Sequence, residues 1–311
     1  MTQRRATTVI PFILSPPMFP DPETPTRRVA GLARSLPFMQ ALHGQTVVIV
    51  DGGAASDVHT RSAFAQDVAL LALTGIHPIV IQCIPTASGA QSVHATHAAM
   101  AGVNHELVRL IGSHGARAIG IDGHDGGLLV ASAVPDSANT STVARFDVTA
   151  LNALLDNGLV PVVMPVAPDD AGRDCLLSPE RLGSLLAQRT CAVSLVMMVD
   201  KGLLHELGEL AGLYGITELE QWLAEHPAAD AAPCVRDALD ALSHGVQNVH
   251  LADIGQPESL IDELLTEEGS GVVFCRRGNT DLLSETRRYF ADSACVLRDG
   301  FSVEQKPVVR F

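Results

Sequence analysis

Lysine is almost absent from this chain. Of its 21 basic residues only Lys201 and Lys306 are lysines, and the others are arginines. Any chemistry that needs a lysine ammonium therefore has two residues to draw on. Basic residues of both kinds are outnumbered by 35 acidic ones, for a formal charge of -14. That balance has no electrostatic footprint for a phosphate backbone, so nucleic acid is not an expected partner. No run of 18 apolar residues occurs, and the richest one, Leu159 to Val166, is broken by Pro161 and Pro165. A transmembrane helix and a membrane partner are not expected. The six cysteines, Cys83, Cys175, Cys191, Cys234, Cys275 and Cys295, are widely spaced and contain no CxxC pair. They read as scattered reduced thiols of a cytoplasmic protein. Arg4-Arg5 ahead of Thr7 to Leu14 has the outline of an export signal. Pro11 interrupts it, however, and Ser15-Pro16-Pro17 stands where a small-residue cleavage site would be, so export is not expected.

What is present is a large apolar fraction, 47% of 311 residues, enough for one large domain or two lobes. Residues 1–24 read as a flexible leader, because Pro16, Pro17, Pro20, Pro22 and Pro25 exclude a regular helix. From Thr26 onward Val29, Leu32, Leu36, Met39 and Leu42 recur at helical spacing, with Arg27, Arg28 and Arg34 on the polar side. Strands and helices then alternate. The strands are expected at 46–50, 78–83, 116–121, 160–166, 193–199, 248–251 and 271–275. The helices are expected at 60–74, 88–114, 148–156, 178–188, 202–212, 216–225, 234–244 and 257–266. Segments 128–134 and 143–147 read as a hairpin. The tail adds a helix at 279–291 and strands near 294–298 and 307–311. Buried strands alternating with amphipathic helices predict an α/β fold, a three-layer α/β/α sandwich around a mainly parallel open sheet. Ligands of such sheets bind at the carboxyl ends of strands, which directs attention to turns 51–54, 82–86, 122–127, 167–180 and 200–204.

These turns and their order resemble the amino acid kinase family, and within it the N-acetylglutamate kinases. The resemblance is carried by Ser35-Leu36-Pro37-Phe38 through Gly44 to Ile49, by Phe64 to Val68 through Gly75 to Pro78, and by Val103 to Val108. His114 to Gly120, Val160 to Val163, Gly245 to His250 and Glu267 to Gly271 continue it in the family's order, so that it covers about 35–275. The resemblance implies a substrate-type lobe over 45–170 and a nucleotide-type lobe over 171–311 with a C-terminal extension. The proline- and Asp-rich stretch near 167–177 lies between them, and an N-terminal helix over 25–44 would serve oligomerisation. It also implies ATP-dependent phosphorylation of an acyl amino acid carboxylate.

The family's chemistry is not matched. Its first turn reads lysine, any residue, glycine, glycine, where this chain has Val50-Asp51-Gly52-Gly53. Its histidine-and-three-glycines turn is Gln82-Cys83-Ile84-Pro85 here. No arginine lies in the shortened 86–102 segment, where the family holds its substrate's carboxylate. The glycine-lysine-aspartate turn is Gly123-His124-Asp125, and the asparagine-alanine-aspartate helix start is Ser178-Pro179-Glu180. The second catalytic lysine falls on Val235, and Asp200 survives at its strand end, followed by Lys201. Phosphoryl transfer rests on charge placement around the γ-phosphate, and each missing cationic donor costs about 10²–10³ in rate.

No catalytic residue and no metal site are therefore assigned. The candidate ligand-binding residues are Asp51, Gly52, Gly53, Gln82, His124, Asp125, Glu180, Asp200 and Lys201. Among these, Lys201 reads most simply as a solvated loop lysine and His124 as a turn residue. His94 and His97, three apart, read as a polar helix surface in preference to a metal pair, and Asp122 with Asp125 as turn aspartates.

The expectation is a catalytically degenerate kinase homologue without a cofactor. It would bind a small effector, pair with an intact amino acid kinase, or act as a scaffold in amino-acid or specialised metabolism, assembled as a dimer or hexamer. One alternative is a working phosphotransferase using ATP and Mg with a displaced catalytic set. Another is a stand-alone relative of the arginine-sensing domain of N-acetylglutamate synthases, since the tail after 278 is too short for an acetyltransferase domain.

Overall fold

The computed structural model describes residues 25–53, 58–84, 92–132, 141–207, 213–266 and 269–276. The fold is organised by strand β1, Thr46–Val50. Along it Val47 and Ile49 face one side and Val48 and Val50 the other, and all four are buried. A strand covered on both faces has no use for polar alternation, which is why its sequence is a continuous β-branched run.

In chain order the elements are α1 (Pro25–Leu42), β1, α2 (Val58–Leu73), β2 (His77–Ile81), α3 (Val93–Ser113) and β3 (Ala118–Ile121). A hairpin of β4 (Leu129–Ser132) and β5 (Thr142–Phe146) follows, then α4 (Thr149–Asp156) and β6 (Val160–Val163). A second hairpin, β7 (Val166–Pro168) and β8 (Asp174–Leu176), leads to α5 (Pro179–Arg189), β9 (Ser194–Val199) and α6 (Lys201–Glu206). The last elements are β10 (Leu213–Tyr214), α7 (Ile216–Glu225), α8 (Ala232–Ser243), β11 (Asn248–Asp253), α9 (Ser259–Leu265) and β12 (Val272–Cys275).

Eight strands form one sheet in the order β10-β12-β11-β9-β1-β2-β6-β3. Every neighbouring pair is parallel except β11 with β12. On one face, Phe64, Val68 and Leu71 of α2, Leu107 and Ile111 of α3, and Leu260 and Leu264 of α9 share a core with Val47 and Ile49. On the other, Leu151 of α4, Leu182 and Leu186 of α5, Trp222 of α7, and Val235 and Leu242 of α8 pack with Val48 and Val50. This is the expected three-layer α/β/α sandwich with a mainly parallel sheet, and the six strands expected between 46 and 251 all lie in it.

Two boundaries differ from the sequence reading. The strand expected over 160–166 is two strands. Pro165 has no N–H to continue the ladder, and after Met164 the chain leaves the sheet to pair β7 with β8. The strand expected over 78–83 ends at Ile81, because the N–H of Cys83 is taken by the Asp51 carboxylate and not by a strand carbonyl. Of the helix expected over 202–212, α6 covers Lys201–Glu206, capped at its start by Asp200, and 208–212 lie outside the described residues. The leader, the start of the helix expected at 88, and the tail helix and strands lie outside the described residues. The far half of α1 does not need a partner for all of its apolar residues: Phe38, Met39 and Leu42 pack on the α2–α3–α9 core, while Leu36 is exposed.

Within that core α2 carries a buried carboxyl, Asp67. Burial pushes it up to about 7, and the nearby Glu258 and Asp262 add to the shift. Because the folded value lies above the unfolded one, its stabilising contribution is complete below about pH 4 and is lost as pH rises through about 7. Asp67→Asn removes that loss. The variant is expected to gain little at acid pH and of order 2–4 kcal/mol over wild type above neutrality, read as the difference in denaturant midpoint between the two pH values. An unchanged difference would refute the assignment.

Candidate functional site

The turn after β1 is built around one carboxylate. Asp51 keeps the ladder going with its own N–H, donated to the Ile81 carbonyl at 2.9 Å. Its side chain then turns back into the protein. Oδ1 accepts the N–H of Gly53 at 3.0 Å and the N–H of Cys83 at 2.8 Å. Burial raises the Asp51 carboxyl, while the two backbone donors, the Cys83 thiol and Arg61 oppose the rise. Gly52 stands at φ 59°, and a Cβ there would lie 1.8 Å from the Met198 carbonyl oxygen of β9. The close approach that demands glycine at this position is thus to the protein's own backbone. Gly53, at φ 85°, has open space beside it.

The turn after β2 completes this wall. Gln82 is fully buried; its N–H donates to Val163 and its Nε2–H to the Met100 carbonyl at 3.1 Å. Its Oε1 is buried with no partner among the described residues. The Cys83 thiol is driven far up by burial, then by Asp51 and Glu180, so it is not a thiolate nucleophile.

Glu180 enters from α5, where Ser178 caps the helix by accepting the Arg181 N–H and donates its hydroxyl to Glu180 Oε2 at 2.9 Å. The Glu180 charge also reaches α8, where Cys234 is pushed up to about 12 and Asp237 up to about 6; burial leads in both, and Glu180 comes next. The surroundings of the β1 turn are therefore acidic. The arginine that acts on Asp51 is Arg61, itself bonded to Glu106.

Val50 and Val235, which occupy the family's lysine positions, are core residues. Val50 packs so closely on α5 that a Cβ on Gly183 would lie 2.6 Å from its Cγ2. Val235 is fully buried in the same core. Asp200 caps α6 through Leu203 N–H at 2.9 Å. Lys201 beside it is exposed, with no hydrogen bond or ion pair among the described residues.

His124 and Asp125 lie apart from this wall in a second polar assembly. His97 of α3 places Nε2 3.0 Å from Asp122 Oδ2 and Nδ1 3.0 Å from Asp174 Oδ2. His124 places Nδ1 3.1 Å from Asp122 Oδ1 and Nε2 3.2 Å from Asp174 Oδ1. The two imidazoles are parallel, their centroids 6.3 Å apart. Asp125 Oδ2 accepts the Asp122 N–H at 2.9 Å. His97 is thus more than a surface histidine, whereas His94 is exposed. No group of side chains that could hold a metal ion is found among the described residues. Sequence reasoning missed Asp174 and Asp237. Neither carries a local signal, since Asp174 is 77 residues from His97.

Comparison with known proteins agrees with the fold. A sequence model of the amino acid kinase family matches residues 32–253. Acetylglutamate kinase of Arabidopsis thaliana chloroplasts is 31% identical over 280 residues, covering 80% of this chain and 81% of that protein. The acetylglutamate kinase of Corynebacterium jeikeium is 31% identical over 302 residues, covering 86% of this chain and 95% of that protein. Among solved structures, N-acetylglutamate synthase from Neisseria gonorrhoeae with coenzyme A and N-acetyl-glutamate superposes with a TM-score of 0.69 at 19% identity. The match covers 81% of this chain but 64% of the synthase, so the likeness is one of fold. With its sheet order, its two helical layers and its most similar relatives in agreement, the chain belongs to the amino acid kinase family and is acetylglutamate kinase-like within it.

Proposed function

We propose that this protein is a catalytically degenerate acetylglutamate kinase-like protein, a cytoplasmic pseudoenzyme that serves as a small-molecule-binding, regulatory or scaffold subunit in amino-acid or specialised metabolism. The observation that carries the reading is the Asp51 carboxylate. It accepts the N–H groups of Gly53 and Cys83. Backbone N–H groups at such turns are what an anionic ligand would bind, and here an internal carboxyl group already holds them. A phosphate brought to this position would meet Asp51, with Glu180 and Asp237 close behind. The side chains where cations would stand are the buried Val50 and Val235. An apolar wall gives a phosphate no compensating donor. The residues present do not fit the phosphates of ATP. The relatives' name, acetylglutamate kinase, describes those proteins' activity. On this reading the chain keeps their fold and has lost their charge placement.

The buried Gln82 Oε1, without a partner among the described residues, is the acceptor at which the donor of a small ligand entering this wall would be recognised. A working kinase with a displaced catalytic set would have to draw its cations from Lys201, which is exposed at the start of α6, from Lys306 or from an arginine. An arginine sensor would show arginine-dependent stabilisation, and the solved synthase from Neisseria gonorrhoeae does include a complex with L-arginine.

Two experiments decide. Acyl-phosphate trapping with hydroxylamine, using N-acetylglutamate, ATP and magnesium beside an intact kinase as control, is expected to give no product. Calorimetry is expected to give no heat for ATP with magnesium. Turnover within about 10²-fold of an ordinary enzyme would overturn the pseudoenzyme reading, and loss of that turnover in Lys201→Ala would identify the displaced cation. A melting temperature that rises with arginine would favour the sensor reading. For assembly, the exposed Leu36 on α1 supports a homo-oligomer, a dimer or a hexamer. Light scattering at micromolar concentration is expected to show at least a dimer; a monomeric mass would refute it.

A further inference from the structure

We propose that His97, Asp122, His124 and Asp174 form a proton-loaded latch that clamps strand β8 onto α3 and loosens it as pH rises. Each of four ring nitrogens lies 3.0–3.2 Å from its own carboxylate oxygen. A neutral imidazole has one N–H donor and one bare acceptor nitrogen. Two neutral rings would thus satisfy two contacts and set two nitrogen lone pairs against carboxylate oxygens. Two imidazolium rings supply four donors, and two carboxylates balance their charge. The closed square therefore holds two protons more than a pair of neutral histidines.

Its four corners come from three places: His97 from α3, Asp122 and His124 from the turn after β3, and Asp174 from the first position of β8. The corners are not equally fixed. Asp122 also accepts the backbone N–H of His124 at 2.8 Å, and its own N–H is held by Asp125. Asp174 has the two imidazoles as its side-chain partners among the described residues. When the rings lose protons the Asp174 corner is the one free to part. α3 and the hairpin also share a small apolar cluster of Met100, Met164 and Val166 with Ile84 and Leu176. Opening would leave β8 held to α3 by that cluster, while the hairpin's own anchors stay in place: the Gly123 N–H on the Val166 carbonyl, the Ser141 N–H on the Leu176 carbonyl, and Ala167 and Leu177 in the main core. The hairpin runs directly into Ser178 and Glu180, so the latch bears on the end of α5 that faces the β1 turn.

The other charged groups around the square leave it intact. Asp125 shares its turn and is engaged by the Asp122 N–H. On the hairpin Asp169 pairs with Arg173 at 2.7 Å, and Asp170 reaches toward Arg145 at 3.9 Å. On α3 His94 is exposed, one turn earlier. A metal is the competing occupant of any such set. Parallel rings with centroids 6.3 Å apart do not turn their nitrogens toward one point, which favours protons.

The test is hydrogen exchange of the full chain, corrected for intrinsic rates, at about pH 5.5 and about pH 8.5, a span that brackets ordinary histidine titration. Peptides covering 169–176 are expected to lose protection at the higher pH, by up to about tenfold for each linked proton and pH unit, while α8 peptides stay unchanged. Asp174→Asn should abolish the step, because an amide can both donate to a bare nitrogen and accept from an N–H. His124→Gln provides the same readout if the first variant fails to fold. Equal protection of the wild-type hairpin at both pH values, or a step that survives in both folded variants, would overturn the latch. So would zinc added at equimolar concentration that restores protection at the higher pH in wild type, since that outcome would make the square a metal site.

Discussion

Strand β1 is hydrogen-bonded on both edges, to β2 and β9, and covered on both faces. The side chain at its carboxyl end, Asp51, is itself buried, so its polar atoms must be satisfied inside the protein. A buried carboxylate is costly unless donors surround it. The turn supplies them: Gly53 and Cys83 give their N–H groups, and the chain after β2 leaves the sheet to do so. Gly52 must be glycine for the turn to pass over the Met198 carbonyl. The end of β2, the packing of β9 and the shape of the candidate site all follow from accommodating one charge.

That accommodation has the opposite sign from the one a phosphate-transferring site needs. Such a site sets backbone donors and cations around an incoming anion. Here the donors are held by a resident carboxyl group, and the side chains that would approach from β1 and α8 are valines packed into the core. Burial raises Cys234 and Asp237 near the turn, and the Glu180 charge adds to both shifts. The kinase-like likeness of the chain and the departures in its turns are thus compatible. Fold identity comes from the apolar pattern, whereas activity comes from a few charges.

Much of the architecture was legible because it rests on local patterns. Val47 to Val50 reads as a strand buried on both faces, and the spacing of Phe64, Val68 and Leu71 reads as one helix face. Six strands of the sheet were expected and found. What failed were endings. Val160 to Val166 is uniformly apolar, so nothing but Pro165 marks the place where the chain turns out of the sheet. The end of β2 is set by a carboxylate 32 residues away. The short β7–β8 hairpin has no periodicity long enough to read.

For the site, the sequence by itself determined what is missing: with Lys201 and Lys306 as its only lysines and valines at positions 50 and 235, it lacks the cations of its family. It also placed Asp51, Gln82, Glu180 and Asp200 at strand ends and helix starts, because those positions follow from element order. Only the tertiary structure decided what these residues do. Asp51 faces inward to two backbone donors, Asp200 serves as a helix cap, and His97 and His124 share two carboxylates drawn from the β3 turn and β8. Those contacts join residues up to 77 positions apart. No spacing rule reaches that far, since the distances are set by how the layers pack and not by the period of any one element.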